Sequence, residues 1–229
     1  MTKILSWNIL HGGGRRMDAI LDAIAGHKPD ILTLQEVRRG AHEDTLVSGL
    51  QQQGFSQIHI PETDDAKENT ILIAAREPFD VEGFPDDGSP THILRAQFDG
   101  LTAYPLHFPQ KKAQVPLFHA LLELPVDSAA LLIGDLNCGI PFEDSDTKTF
   151  ANTHLFQRLL VQGWSDIWRS HNPDAREFTW ISAKRKNGFR YDHALATPAL
   201  DKRISDVQYD HEPRITKVSD HSILTVNID

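Results

Sequence analysis

Cysteine is nearly absent from this chain: Cys138 is the only one in 229 residues. A single thiol excludes an intrachain disulfide framework and a cysteine-based zinc cluster. Its place directly after Asn137 raises the question of a reactive thiol, yet a small residue following an apolar run reads as a buried packing residue. Long hydrophobic runs are missing too. None approaches the roughly 20 apolar residues of a membrane-spanning helix, and Met1-Thr-Lys3 runs straight into Ile4-Leu-Ser-Trp7 without a signal-peptide pattern. A cytoplasmic, monomeric protein with no membrane segment is expected. Positive charge is also short: the formal net charge is −9, which argues against nucleic-acid binding through general basicity. The deficit limits how a polyanion could be held, not which reaction could be run on it, because a metal-dependent hydrolase gathers carboxylates at its site and needs only a local basic rim. Linkers, low-complexity tracts and short-period repeats are absent as well. With 40% hydrophobic and 24% charged residues, the chain reads as one globular domain over 1–229.

What is present centres on Ala130-Ala-Leu-Leu-Ile-Gly-Asp-Leu-Asn137, an apolar run closed by Gly134 and polar residues, as in a strand buried on both faces that ends at a site. On an extended backbone Asp135 and Asn137 would project to the same side, an anionic acceptor beside an amide that both donates and accepts. The calcium-loop pattern fails, since its fifth and sixth positions would be Gly139 and Ile140. Lys3 to Trp7 reads as a strand ending on Asn8, followed by a flexible basic loop, His11-Gly-Gly-Gly-Arg-Arg16, whose bare backbone could approach an anion. Met17, Ile20, Leu21 and Ile24 form a helical face stopped near Gly26 and Pro29, and Asp30 to Glu36 is a second buried strand, a βαβ-like opening. Further helices are expected over Glu43–Gln53, Val115–Leu124 and Thr149–Gln162. Strands are expected over Phe55–Ile60, Thr70–Ala75, Thr91–Phe98, Leu101–Phe108, Tyr191–Thr197, Ile204–Tyr209 and Ser222–Ile228. Asp99-Gly100 is a hairpin signal that delivers His107 to a strand end. The acidic stretch Glu143-Asp-Ser-Asp146 reads as a surface loop and helix start, and only secondarily as a metal site. The two halves share a strand-and-helix plan that suits two packed sheets with helices outside.

Asn8, Glu36, Asp135, Asn137, Asp192, Asp220 and His221 all lie at or beside expected strand ends. Their contexts, Ser6-Trp-Asn8, Leu34-Gln-Glu36, Gly134-Asp-Leu-Asn137, Tyr191-Asp-His193 and Ser219-Asp-His221, together resemble the motifs of the endonuclease/exonuclease/phosphatase superfamily from Ile4 to Ile228. The last third is similar to its exonuclease III type through Phe178-Thr-Trp180, Gly188-Phe-Arg-Tyr-Asp192 and Val218-Ser-Asp-His221. The first half departs from that type: Ile9-Leu-His-Gly12 follows the first asparagine, and Pro105-Leu-His107 brings a histidine similar to DNase I-like and sphingomyelinase-like members. The resemblance implies an α/β fold of α+β character, a DNase I-like four-layered sandwich of two mixed sheets flanked by helices, with a Mg²⁺ or Mn²⁺ site at one end. It further implies that Glu36, Asn8 and Asp220 hold the metal, that Asp135 activates water, and that Asn137 fixes the water or a phosphate oxygen. His221 would donate to the phosphate, held by Asp192, with His107 contacting the phosphate or protonating the leaving group. His193 and His119 read as structural.

Lys184, Arg185, Lys186 and Arg190 stand just before Asp192 as candidate DNA-backbone contacts, with Phe189 a stacking or wedge surface. A DNA endonuclease or exonuclease of repair type is the expected activity. A hydrolase for a smaller phosphoester, which the acidic balance favours, and a non-catalytic binding module stay open beside it.

Overall fold

The computed structural model describes residues 1–40, 42–84, 91–148 and 150–229. The first half carries the strands β1 (Thr2–Asn8), β2 (Ile31–Val37), β3 (Gln57–His59), β4 (Thr70–Ala75), β5 (Asp80–Gly83), β6 (Leu94–Phe98) and β7 (Leu101–His107), with the helices α1 (Met17–His27) and α2 (Glu43–Gln52). The second half carries α3 (Gln114–Leu122), β8 (Ala130–Asp135), α4 (Thr153–Gln162), β9 (Ser165–Asp166), α5 (Ile167–His171), β10 (Trp180–Ile181), β11 (Gly188–Phe189), β12 (Asp192–Ala196), α6 (Pro198–Asp201), β13 (Ile204–Asp210), α7 (Glu212–Ile215) and β14 (Ile223–Ile228). One six-stranded sheet runs β13-β14-β1-β2-β4-β3, the other β5-β6-β7-β8-β12-β9, and β10 pairs with β11 alone.

Alternation along the strands decides the layers. Ile4 and Ile31 face a core shared with Leu131, Ile133 and Ala194 of the second sheet. Their neighbours Leu5 and Leu32 point outward with Trp7 onto Ile20 and Ile24 of α1 and Leu46 and Leu50 of α2. On the other side Leu132 and Tyr104 meet Phe118 of α3 and Phe156 of α4. The order is therefore helices, sheet, sheet, helices, the four-layered α/β sandwich that the motifs imply. Among the described residues no helix is long and apolar enough to cross a membrane.

Each sheet contains one parallel pair, β1 with β2 and β7 with β8. A parallel pair ends both its strands on one side, so Asn8 lies opposite Gln35, and His107 opposite Asp135. β12 runs antiparallel to β8 and starts there, Asp192 opposite Asp135. Gly134 makes the second of these approaches possible. Its φ is +147°, and a Cβ built on it would stand 2.0 Å from the Leu106 carbonyl oxygen.

Several boundaries differ from expectation. α4 begins at Thr153, and Thr149, the start that the sequence pattern gives this helix, lies outside the described residues. The strand expected over 55–60 shrinks to Gln57–His59, with Phe55 serving the core instead. The acidic stretch 143–146 is no simple surface loop: Asp144 and Ser145 are fully buried. β8 ends at Asp135, and Asn137 has φ +47°, so the two side chains do not share a strand face. Asn137 instead turns back and donates its backbone N–H to Asp135 Oδ1 at 2.9 Å.

Gly134→Ala should cost about 3 kcal/mol or more, because backbone strain and a clash with a carbonyl coincide, and the melting temperature should fall by roughly 6–12 °C for a chain of this size. Gly100→Ala is the control: the hairpin glycine also has positive φ but meets nothing within 4 Å, so only about 1 kcal/mol of left-handed backbone cost remains. Equal losses in thermal unfolding would show that the Leu106 carbonyl moves aside freely.

Candidate active site

The first sheet supplies Asn8 and Glu36. Glu36 sits where the β2–β4 register slips between Gln35 and Val37, and its φ is +58°. A bulge of this kind turns one side chain out of the alternation, and the left-handed conformation stores strain at the position that needs it. The glycine loop then wraps this carboxylate. His11 N–H donates to Oε2 at 2.8 Å, Gly12 N–H donates to the Glu36 carbonyl at 2.7 Å, and Asn8 Nδ2 donates to Oε1 at 3.2 Å. Leu10 through Gly14 all have positive φ. The backbone group that reaches the carboxylate is therefore the N–H of His11, while the glycines serve the turn and the Glu36 main chain. Burial pushes Glu36 up, but His107, the His11 N–H and Asn8 more than reverse it, and its pKa lies below the ordinary value.

The second sheet supplies His107, Asp135 and Asp192. Asn8 bridges the two sheets, its Nδ2 also reaching Asp135 Oδ2 at 3.1 Å. His221 joins them from the turn before β14: Nδ1 lies 2.9 Å from Asp192 Oδ2 and Nε2 3.8 Å from Asp135 Oδ2. All three are buried. Burial raises Asp135 to about 7 against the pull of His221. Burial works against a charged His221, yet Asp192 and Asp135 lift it to about 10, so the ring is protonated at neutral pH. His107 is buried with Nε2 4.0 Å from Glu36 Oε1 and no partner for Nδ1; burial pushes it down to about 4 despite Glu36.

Unmatched negative charge marks where a cation fits. Asp192 Oδ1 and Asp220 Oδ1 are buried and accept no hydrogen bond, while Asp220 Oδ2 takes Trp180 Nε1–H at 2.8 Å. Asp135, Asp192 and His221 present atoms within 4.8 Å of one another and could hold a metal ion. A protonated His221 has no lone pair to offer, however, which favours the oxygen donors Glu36, Asn8 and Asp220 for a hard cation.

Beside Asn137 opens a cleft of about 290 Å³, walled by Phe150, Trp180, Phe189 and Tyr191, with Lys111 and Arg185 at its rim. The Phe189 and Tyr191 rings stack at 5.1 Å and 14°, so Phe189 is a buried wall of the cleft rather than a protruding wedge. Lys184, Arg185 and Lys186 are exposed. Arg190 requires correction as a substrate contact: its side chain is 1% exposed and lies between two aspartates. Nε donates to Asp144 Oδ1 at 2.8 Å, Nη1 to Asp166 Oδ1 at 3.0 Å, and Nη2 to both carboxylates. Burial would raise Asp166, but Arg190 and His193 hold it well below the usual carboxylate range. Residues 189 and 191 face the cleft and 190 faces inward, the alternation of an extended chain, visible in the sequence as aromatic–arginine–aromatic. His193 is buried with Nε2 2.9 Å from the Cys138 carbonyl, His119 is exposed, and Cys138 is buried with its thiol pushed up to about 12. These are packing roles.

Sequence reasoning missed three contributors. Thr179 Oγ1 accepts the N–H groups of Tyr191 and Asp192 at 3.1 and 3.3 Å, fixing where Asp192 starts. Arg16 donates to the carbonyls of Ile9, Leu10 and Val218, tying the glycine loop to the turn that carries His221. His11 lies with Nδ1 2.8 Å from Glu36 Oε2. The stretches that carry them stand out in the sequence, but their partners do not, since each acts on a segment remote in the chain or across a turn.

A family model described as Endonuclease/Exonuclease/phosphatase family matches residues 5–221. Among solved structures, an AP endonuclease from Archaeoglobus fulgidus superposes with a TM-score of 0.84 at 24% identity, each chain covering 100% of the other. A 3' phosphatase from Neisseria bound to a product DNA hairpin gives 0.84 at 25%, again over 100% of both chains. A 3'-5' exonuclease from Neisseria meningitidis gives 0.83 at 26% over 99% of both. No curated protein sequence matches the chain significantly.

Arg190→Met should destabilise the protein by about 3–5 kcal/mol, because two buried carboxylates lose their counter-charge, and denaturant unfolding measures this. The salt dependence of DNA binding should stay as in the wild type. A flattened salt slope with unchanged stability would return Arg190 to the substrate face.

Proposed function

The chain belongs to the endonuclease/exonuclease/phosphatase family and is a metal-dependent, nuclease-type phosphoesterase; from that premise we propose that its substrate is DNA, cleaved in a repair-type reaction at the site where the two sheets end. The observation that carries the reading is the position of Asn137. It closes the turn onto Asp135 and also lines the aromatic cleft with its basic rim, so the hydrolytic groups adjoin a surface on which a base or sugar can stack. Similarity to an AP endonuclease, to an exonuclease and to a phosphatase bound to a DNA hairpin supports the same substrate.

Glu36, Asp220 and Asn8 would hold Mg²⁺ or Mn²⁺, which supplies Lewis-acid polarisation of the scissile phosphate and stabilises the leaving oxyanion. The chain's own residues do the rest. Asp135, raised to about 7, is matched to taking a proton from the attacking water near neutral pH. His221, charged and held by Asp192, donates from Nε2 to a nonbridging oxygen, where negative charge accumulates. Asn137 uses one amide N–H on the Phe108 carbonyl at 2.9 Å and keeps its carbonyl oxygen and second N–H for the water or a phosphate oxygen. His107, neutral in its buried position, serves as a hydrogen-bond donor to the phosphate rather than as a source of protons. A small phosphoester is the second reading, favoured by the net charge of −9.

Asp192→Asn and His221→Ala should each lower kcat strongly with little change in substrate binding, since their contacts strengthen as charge develops. The double variant should be little slower than the worse single one. Full additivity would separate Asp192 from His221.

Replacing Lys184, Arg185 and Lys186 together by serine tests the substrate. On duplex DNA the dependence of log affinity on log salt should flatten by about 0.9 for every phosphate that these side chains neutralise in the wild type, with hydrolysis of a small phosphodiester hardly altered. Identical salt slopes for wild type and variant would favour the small-substrate reading.

A further inference from the structure

One aromatic ring of this protein is neither buried nor part of the cleft. Phe142 is 55% exposed, whereas every other Phe, Tyr and Trp among the described residues is buried or half-buried. Its φ is +66°, a conformation that a bulky side chain rarely adopts and that costs backbone energy. A ring left in water gains little from burial, and the strain subtracts from stability. Neither feature serves the fold.

The turn beneath the ring is nonetheless firmly built. Asp144, fully buried, donates its N–H to the Ile140 carbonyl and accepts the Ile140 N–H on Oδ2, both at 2.8 Å. From the other side Arg190 clamps Asp144, its backbone N–H donating to the Asp144 carbonyl at 2.7 Å and its Nε to Oδ1 at 2.8 Å. The buried arginine thus fixes the turn whose tip carries Phe142. That tip adjoins the cleft: Pro141 bridges to Ser145, and Ser145 to Phe189 in the cleft wall. Lys148 Nζ stands 5.9 Å from the centre of the Phe142 ring, two residues before Phe150, which also lines the cleft. Glu143 beside the ring is exposed and offsets the lysine charge, so attraction at the tip is left mainly to the ring.

We propose that Phe142 is a second nucleobase contact, outside the cleft, which stacks on an unpaired base neighbouring the nucleotide at the reacting phosphate. An aromatic face accepts any base, because every base has a π-face of its own. Inside an unbroken duplex both faces of a base are covered by its neighbours. An exposed ring finds a free face only where the stack is interrupted, at a gap, an end or an extruded nucleotide. The contact therefore makes the protein prefer DNA opened beside the cleaved bond to continuous duplex. The proposal rests on the reading of DNA as the substrate and adds to it which DNA is taken.

The test is binding of the full chain, with Mg²⁺ present, to hydrolysis-resistant phosphorothioate DNA in two forms, a gapped duplex and the same duplex unbroken, across a salt series. Wild type should prefer the gapped form. Phe142→Ala should weaken gapped DNA by about tenfold, the loss of one base–aromatic stack, and leave unbroken duplex within about twofold. Its plot of log affinity against log salt should run parallel to that of the wild type, because no charge has been removed. Phe142→Trp should restore the affinity, with its indole fluorescence quenched by gapped DNA. Phe142→Gly, which relaxes the positive φ, should bind gapped DNA as weakly as the alanine variant while its Tm stays level or rises, a combination that a packing role does not produce. Equal affinity of wild type and Phe142→Ala for gapped DNA, or an equal loss on both forms, would overturn the proposal and leave DNA as the substrate. Wild type that binds neither DNA yet hydrolyses a small phosphodiester would overturn the substrate reading and this contact with it.

Discussion

Negative charge gathered where two sheets end is the constraint on which the rest of this structure depends. Glu36, Asp135, Asp192 and Asp220 converge there, and Asp135 and Asp192 are buried. A carboxylate removed from water must gain a partner or take up a proton. Each one resolves this differently. Glu36 is surrounded by N–H donors and stays charged, Asp192 is matched to His221, Asp135 drifts toward neutrality, and Asp220 takes one indole N–H and leaves its other oxygen unanswered. In the proposed mechanism these different outcomes are what supply a base, a charged donor and a place for a cation.

The strands and their polar ends are legible in the sequence because they obey local rules. The short apolar runs around Ile4-Leu5 and Ile31-Leu32, closed by Asn8 and Glu36, read as buried strands without knowledge of the partner sheet, and Asp99-Gly100 announces its own turn. Arg190 is not legible in the same way. The alternation Phe189-Arg190-Tyr191 sets it apart from the exposed Lys184 to Lys186, but its partners Asp144 and Asp166 lie 46 and 24 residues away in the chain and no local pattern names them. Burial follows from partners elsewhere in the chain, so a basic residue near a site reads as a substrate contact until those partners are placed. The turn at Asn137 is hidden for a different reason: Asp-Leu-Asn fits an extended strand as well as a tight turn, and only the bond from Asn137 N to Asp135 decides between them.

The loop 11–16 serves the protein's own Glu36. His11 N–H binds its carboxylate and Gly12 N–H its main-chain carbonyl. The same segment carries Arg16, whose guanidinium reaches Ile9, Leu10 and Val218 and so links the end of β1 with the turn holding Asp220 and His221. One short loop thereby fixes groups from the two ends of the chain.

On the proposal that the substrate is DNA, Arg190 also reconciles an acidic protein with a polyanion. Were its charge at the surface, it would add to the long-range field; buried between two aspartates, it contributes almost nothing outside and instead holds the strand on which Phe189 and Tyr191 stand. Attraction for DNA is then left to the few exposed cations, Lys111, Arg185 and their neighbours, around an aromatic cleft. In such a design affinity depends on stacking and on a handful of phosphate contacts near the reacting bond, while the surrounding acidity opposes binding that does not place a phosphate at the site.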